Sequence, residues 1–380
     1  MREIQPGLRA LTVVLLAASC GGMSPLPPVS ALGDGSIRVL LFEGLETVEV
    51  SRADGTSLGT AAWAGGGELR VGGGQLRARW RNHAGSGALE VRGVEVRGTV
   101  EVVAVSDRSL GAKPGLAVVN EIPVEQYLAG TLSREMYESW GPDALQAQAV
   151  ASRTYALHQR HTHRKRLWHV AAGTRSQVYG GVAAESPAVL GAVDATRGEI
   201  LTHSGTPILA VFHSSSGGRT ASAEEVWGQP RDYLVSLDVE DEWDSPDSYW
   251  RAPVSRTTLG RAVAAVAEDV GAIRAVRVTE RTGSGRVARV EIEGEAGTVS
   301  MQGRRLRDAL GETTLKSTLF EVRQDGDDFV FVGSGNGHGV GMSQWGARAM
   351  ARRGDDYRKI LGTFYPGTRL TRVEPGGDDR

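Results

Sequence analysis

At 380 residues the chain is long enough for one large domain or two modest ones, with ample length to bury a core away from any membrane. Forty-three Lys and Arg against 45 Asp and Glu leave a formal net charge of -2, so the global basic field that a nucleic-acid backbone rewards is missing and nucleic acid is not expected as a partner. Hydrophobic residues (40%) and charged residues (23%) are in ordinary globular proportion, whereas 51 glycines exceed normal usage and point to many turns and close backbone approaches.

The N-terminal string MREIQPGLRALTVVLLAASCGG places Arg2 and Arg9 ahead of an apolar run, Ala10 to Ala18, which is too short to span a bilayer and has the form of a signal peptide over residues 1–19. The chain's only cysteine, Cys20, follows Leu16-Ala17-Ala18-Ser19, a sequence that resembles a bacterial lipobox. The expectation is an exported lipoprotein, periplasmic or at the cell surface, lipidated at Cys20. The alternative is ordinary cleavage near the same point and an unattached periplasmic protein. No later stretch reads as a transmembrane helix, so the lipid would be the membrane attachment. One cysteine excludes an intrachain disulfide and argues against a catalytic thiol or a thiolate zinc cage.

Residues 20–35, rich in Pro, Gly and Ser, read as a tether. From 36 to 115, short runs such as IRVLLF, TVEV, LRARW, ALEV and VEVVAV alternate with Gly- or Asp-containing breaks, which predicts a β-rich N-terminal part. At Glu121 the texture changes: VEQYLAGTLSREM has helical spacing through Val124, Leu128 and Leu132, and Ser139 to Asp143 then punctuates it. The next helix, ALQAQAVASRTYALHQR, has few large side chains and carries Gln148, Ser152 and Tyr155 on one face. Turn-rich strands over 176–220, a helix near Thr258 to Val270, strands at AVRVTERT, ARVEIEG and FVFVG, and a final helix over Ser343 to Arg353 complete a mixed core, 116–372. The fold class expected is α+β, with a substrate groove.

Three clusters carry candidate chemistry. FVFVGSGNGHGVGMSQWGARAM runs strand, glycine loop, helix, but neither the G-x-G-x-x-G register nor a phosphate-loop lysine fits it. Its glycines then serve backbone conformation, letting amides approach a ligand, and Asn336, His338, Gln344 and Trp345 suit a polar, flat-faced one such as a sugar. A tight turn beside a core tryptophan is the ordinary alternative. AVFHSSSGGRTASAEEVWG repeats that chemistry with His213, Ser214, Ser215, Ser216, Gly217, Gly218 and Trp227, and lacks the G-x-S-x-G of a nucleophile elbow; turn-stabilising serines are the alternative there. LSREMYESWGP supplies an acid: Glu135 lies among Leu132, Met136 and Trp140, where a partly apolar cleft would raise its pKa. Glu138 reads as a solvated neighbour.

Together these clusters resemble the SpoIID/LytB group of cell-wall proteins, stage II sporulation protein D and the amidase enhancers. The matching strings run in the group's order over about residues 116–370: VVNEIPVEQYLAGTLSREM, ALQAQAVASRTYAL, SQVYGG, FHSSSGGRTASAEEVWG, YLVSLD, LRDALGETTLKSTLFEV, GSGNGHGVGMSQWGARAMA and ILGTFYPG. The resemblance implies a peptidoglycan lytic transglycosylase with Glu135 as its catalytic glutamate, or else a non-catalytic glycan-binding enhancer of a cell-wall amidase. One carboxyl suffices for such a lyase, because the muramic acid's own C6 hydroxyl attacks C1 where a hydrolase needs a second carboxylate to serve water. It further implies that Gln148 and Tyr155 face the glycan, that His338 and Gln344 bond sugar hydroxyls or acetamides, and that Trp345 or Trp227 stacks on a sugar face. Some members bind zinc through cysteines and a histidine near the Q-V-Y string; here Ser176 precedes Gln177 and no cysteine is present, so neither metal nor other cofactor is expected. His158, His161, His163 and His169, interleaved with basic residues, read as a solvated helix end attracting anionic wall polymer, with metal binding as the alternative. The acidic run VEDEWDSPDSYW, Val239 to Trp250, offers either a second catalytic carboxylate or, as the ordinary reading, a solvated loop in which Asp244 or Ser245 caps the next element; Glu225 reads as orienting substrate or bracing its loop.

Overall fold

A computed structural model describes residues 35–63, 69–70, 77–81, 87–106, 113–173 and 176–373. The expected signal peptide, Cys20 and nearly all of the tether lie outside the described residues. The protein is α+β and divides into two compact units. One runs up to Ala210 and resumes at Thr368; the other spans Val211–Gly367.

The first unit opens with β1 (Ser36–Leu45), β2 (Thr47–Arg52), β3 (Ser57–Trp63), β4 (Leu69–Arg70), β5 (Arg77–Arg81), β6 (Leu89–Val91), β7 (Val94–Val96), β8 (Thr99–Val105) and β9 (Gly115–Pro123). The helices α1 (Val124–Ala129), α2 (Leu132–Glu135) and α3 (Pro142–Thr162) follow, then β10 (Val170–Ala171), α4 (Pro187–Ala195), β11 (Glu199–His203) and β12 (Thr206–Pro207). One five-stranded sheet has the order β10-β1-β9-β8-β5, the other β4-β3-β2-β6-β7. β9 sits at the centre of the first, antiparallel to β1 and to β8. Its run GLAVVN is therefore buried without alternation. The C-terminal strand Arg369–Arg372 closes a third sheet by pairing with β11.

The helix expected from Val124 to Met136 breaks in two at Gly130. A Cβ there would lie 2.6 Å from the Tyr179 ring, and the Gly130 carbonyl accepts from Gly180 N at 2.8 Å, so this glycine lets the turn press against the strand-like segment that follows Gln177. α3 starts at Pro142 and is buried along most of its length by alanines, consistent with its small side chains. Arg153 lies wholly inside this layer. It forms a bidentate pair with Glu125 (2.9 and 2.7 Å) and donates to the Glu199 and Val193 carbonyls, joining α1, α3, α4 and β11.

The second unit contains β13 (Phe212–His213), α5 (Ala223–Trp227), β14 (Trp250–Val254), α6 (Arg256–Ala264), β15 (Ile273–Arg281), β16 (Val287–Gly294), β17 (Thr298–Gln302) and α7 (Gly303–Leu310). It ends with β18 (Phe320–Asp325), β19 (Asp328–Gly333), β20 (Met342–Ser343), α8 (Gln344–Arg352) and α9 (Tyr357–Phe364). Two antiparallel three-stranded sheets, β14-β19-β18 and β15-β16-β17, share a core with α6 and α7 that includes Trp250, Leu259, Val290, Leu306, Phe320 and Phe331. β13 and β20 pair in parallel, Phe212 with Met342 and His213 with Ser343. That pairing draws the serine-rich loop and the glycine-rich loop side by side. Trp250 ties the core to them, its Nε1 donating to the Gly335 carbonyl at 3.0 Å.

Candidate functional site

In the first unit, Glu135 ends α2 with its side chain turned inward: the residue is 3% exposed. Val178 N donates to its Oε1 at 2.6 Å. Burial raises the carboxyl pKa to about 8, against the lowering effect of that amide. At neutral pH the acid holds its proton. Burial chiefly keeps the phenols of Tyr127 and Tyr155 protonated, and Glu135, once it ionises, raises both further; Tyr155 is pushed up to about 12. Tyr127 Oη donates to Gln177 Oε1 at 2.9 Å and its ring stacks on Tyr179, centroids 5.5 Å apart, while Tyr179 Oη donates to Asn120 Oδ1 at 3.1 Å. Glu135 thus sits among neutral hydrogen-bonding groups anchored to the central strand β9.

Gln148 and Tyr155 are buried, as is every residue of α3 from Ala147 to Gln159. The Gln148 amide donates to Ser152 Oγ at 3.0 Å, so part of its capacity is used within its own helix. Ser176, just before Gln177, accepts from Ala171 N at 3.1 Å and hydrogen-bonds Tyr155. Among the described residues no group of three or more His, Cys, Asp or Glu could hold a metal ion. The histidine-rich helix end is less solvated than expected: Arg164, Lys165 and Arg166 are exposed, but His158 and His169 are buried. His158 Nδ1 meets the Pro207 carbonyl at 3.2 Å, and Arg38 N donates to His169 Nδ1 at 3.1 Å. Burial, aided by Arg38, depresses the His169 pKa to about 3.

In the second unit the two predicted loops are in direct contact. Ser215 N donates to the Asn336 carbonyl (3.1 Å) and Asn336 N to the Ser215 carbonyl (2.8 Å). His213, Ser215, Ser216, Asn336, His338 and Gln344 are buried, while Ser214, Trp227 and Trp345 are half-buried. The His213 and His338 rings lie 5.7 Å apart, and Trp227 lies 5.4 Å from His338. Trp345 N donates to the Ser214 carbonyl at 3.0 Å and the Arg348 guanidinium covers its ring at 4.8 Å. Ser216 Oγ accepts from Gly218 N at 3.1 Å, the local turn expected of such serines.

The atoms that crowd the glycines belong to the protein itself. Gly339 has φ +83° and an added Cβ would lie 2.3 Å from the Arg286 guanidinium; at Gly341, φ +73°, it would lie 2.1 Å from the Val211 carbonyl. These glycines therefore let the loops close on each other and on Arg286, which donates to the Ser216 and Arg219 carbonyls.

The acidic run is not the solvated loop its composition suggests. Glu242 is 5% exposed, and its carboxylate accepts from Ser216 N (3.1 Å), Ser216 Oγ (2.6 Å), Gly217 N (3.1 Å), Gly218 N (3.3 Å) and Ser343 Oγ. Asp247, likewise buried, accepts from Asn336 Nδ2 at 2.7 Å and from Lys316, and its carbonyl accepts from Gly335 N at 2.7 Å. Between them the chain turns out to solvent at Trp243, which is 81% exposed. Asp244 does not cap a helix; it pairs with Arg348 and Arg352. Glu225 braces its loop: it completes a capping box with Ser222, and its Oε1 accepts from Ser284 N at 3.0 Å.

The described fold and side chains thus define an α+β protein with a buried, proton-holding carboxyl in one unit and a carboxylate-braced pair of polar loops in the other. Residues 112–203, which include Glu135, Gln148, Tyr155 and Gln177, match the SpoIID family model, described as stage II sporulation protein; residues 237–341 match a model described as a domain of unknown function, DUF8618. Stage II sporulation protein D of Bacillus subtilis is 30% identical over 271 residues, 67% of this chain and 76% of that protein. An uncharacterised protein of Brachyspira hyodysenteriae is 31% identical over 281 residues, 74% of this chain and 73% of its own length. The amidase enhancer of Bacillus subtilis is 31% identical over 295 residues, 64% of this chain but 40% of the enhancer. The chain belongs to the SpoIID family.

Proposed function

We propose that this protein is an exported peptidoglycan lytic transglycosylase that cleaves the MurNAc-GlcNAc β-1,4 bond and leaves a 1,6-anhydro-MurNAc end. The observation that carries the reading is the protonated Glu135 carboxyl, buried with tyrosine and amide neighbours in the segment that matches the family. Glu135 donates its proton to the glycosidic oxygen as the C1–O bond breaks. The resulting carboxylate takes the proton of the C6 hydroxyl as that oxygen bonds to C1, which restores the acid and consumes no water. Near-complete burial supports this economy, because a dry site disfavours competing hydrolysis. Gln148 and Tyr155 in the first unit are proposed to contact glycan, and so, separately, are His213, Ser214 to Gly218, Trp227, His338, Gln344 and Trp345 in the second. Export and lipidation at Cys20 belong to the same reading; among the described residues no helix is long and apolar enough to cross a membrane.

The amidase-enhancer relative favours a second reading, in which the same surfaces hold glycan without cutting it and assist a cell-wall amidase. Incubation of the purified protein with sacculi, followed by mass spectrometry of the soluble muropeptides, separates the two. Anhydro ends from the wild type, reduced about 100-fold or more in Glu135→Gln with sacculus binding retained, support the lyase. Binding to sacculi with no anhydro product from either protein supports the enhancer.

A further inference from the structure

The first strand begins beside a cluster of cations. Where Gly35 leads into β1, the Arg160 guanidinium lies so close that a Cβ on this glycine would stand 2.8 Å from its Nη1. β10 runs parallel to β1, with Val39 opposite Val170 and Leu40 opposite Ala171, so the turn that joins α3 to β10 sits at the N-terminal end of β1. Two contacts fix that placement: His169 N donates to the Arg38 carbonyl at 2.8 Å, and Arg38 Nη2 donates to the Arg164 carbonyl at 3.2 Å. Arg164, Lys165 and Arg166 occupy the turn, and all three are exposed. Among the described residues their side chains make no hydrogen bond or ion pair.

The helix does not call for these three charges. α3 ends at Thr162 with Arg160 and His161 in its last turn, where cations balance the carbonyl end of a helix, and residues 164–166 lie beyond it. Overall charge does not account for them either, since the chain carries a formal -2. The carboxylate that the register sets opposite Arg38, Glu121 on β9, accepts from Ser36 Oγ at 3.0 Å. What precedes Gly35 says which anion meets the turn. Cys20 stands 15 residues before Gly35, and that length of chain spans at most about 50 Å. The edge from which the chain leaves toward Cys20 is thus the edge that carries the cations. We infer that the turn of Arg164, Lys165 and Arg166, with Arg38 and Arg160 beside it, docks on the anionic phospholipid headgroups of the membrane that holds Cys20, setting the C-terminal end of α3 against the bilayer. The attraction acts over about a Debye length, roughly 8–10 Å, so the anchor brings the turn to the surface and the cations orient the unit there. The inference rests on the reading of Cys20 as lipidated and is independent of the lyase chemistry.

The test is co-sedimentation of the full-length Cys20→Ser protein, which cannot take the lipid, with vesicles of phosphatidylglycerol and phosphatidylcholine in equal parts and with vesicles of phosphatidylcholine alone. At low salt, binding to the anionic vesicles should exceed binding to the neutral ones. Adding Arg164→Gln, Lys165→Gln and Arg166→Gln should weaken it on the order of 100-fold, about fivefold per cation. Both proteins share the N-terminal apolar run with Arg2 and Arg9, so the difference between them belongs to the turn. Equal binding by the two overturns the inference. So does a triple variant that keeps its hold on vesicles and loses its hold on purified sacculi, which would assign the turn to wall polymer. If the triple variant does not fold, Lys165→Glu alone decides, with a loss of about tenfold or more expected and no loss overturning the inference. Mass spectrometry of the wild type purified from membranes keeps the two readings apart. Unmodified Cys20 with vesicle binding intact would sink the lipidation reading and leave the docking surface, and lipidated Cys20 with equal binding by both proteins would do the reverse.

Discussion

At the scale of single residues, Glu135 governs a measurable pH dependence. Its folded pKa, about 8, is raised from 4.5, so between these values the unfolded chain releases a proton that the folded protein keeps. Stability should therefore be unaffected by this group below pH 4.5 and fall as pH rises toward 8, by about 1.4 kcal/mol per pH unit. Urea unfolding at pH 5 and pH 8 checks this: Glu135→Gln should match the wild type at pH 5 and exceed it by several kcal/mol at pH 8. Equal stabilities at both values would mean that the carboxyl ionises normally. Leu132 and Met136, which flag Glu135 in the sequence, are indeed buried, and Val178 N adds a hydrogen bond to its carboxyl, with the phenols of Tyr127 and Tyr155 close enough to interact with it. Tyr127 and Tyr155 are in plain view in the sequence, yet nothing in their spacing says that both lie within electrostatic reach of Glu135. Val178 contributes through a backbone amide, which no side-chain pattern reveals.

At the scale of elements, the loops were legible as a pair and their brace was not. Two glycine-hinged strings of like chemistry pointed to one another, and β13 and β20 do bring them together. Glu242 escaped because an acid in the run VEDEWDSPD looks like a solvated charge; burial alternates there on too short a scale to separate Glu242 from Asp241 or Asp244. Glu242→Ala would leave its buried N–H and O–H donors without an acceptor, and should cost roughly 3–5 kcal/mol in chemical denaturation. A loss under about 1 kcal/mol would mean that the loops hold themselves. Gly339→Ala tests the same junction from the other side: a left-handed φ and the Arg286 contact should together cost at least about 2 kcal/mol. A Tm equal to the wild type's would show that Arg286 moves aside freely. The split of the expected 124–136 helix follows the same logic, since Gly130 was visible but the Tyr179 ring it must accommodate was not.

At the scale of the whole molecule, acidic and basic limits come from different buried groups. His169 and His338 keep folded pKa values near 3, and His213 is likewise depressed, so each favours the fold above its ordinary pKa of 6.5 and withdraws that support as pH falls. Glu135 acts in the opposite direction between 4.5 and 8. Thermal stability should therefore peak at about pH 6 to 7. In Glu135→Gln the decline above that range should disappear while the acid limb is unchanged; a retained alkaline decline would assign it to another group. The α+β class and the order of the motifs were readable in the sequence because they depend on local pattern. The division into units at Ala210 and Thr368 was not, since it rests on the late return of Arg369–Arg372 to β11.

The claim beneath all of this is that Glu135 is a neutral acid at the pH at which the protein works. A 13C NMR titration of the side-chain carboxyl, assigned by its absence from Glu135→Gln, measures that directly. The structure predicts a midpoint at about 8; a midpoint near the ordinary glutamate value would contradict it.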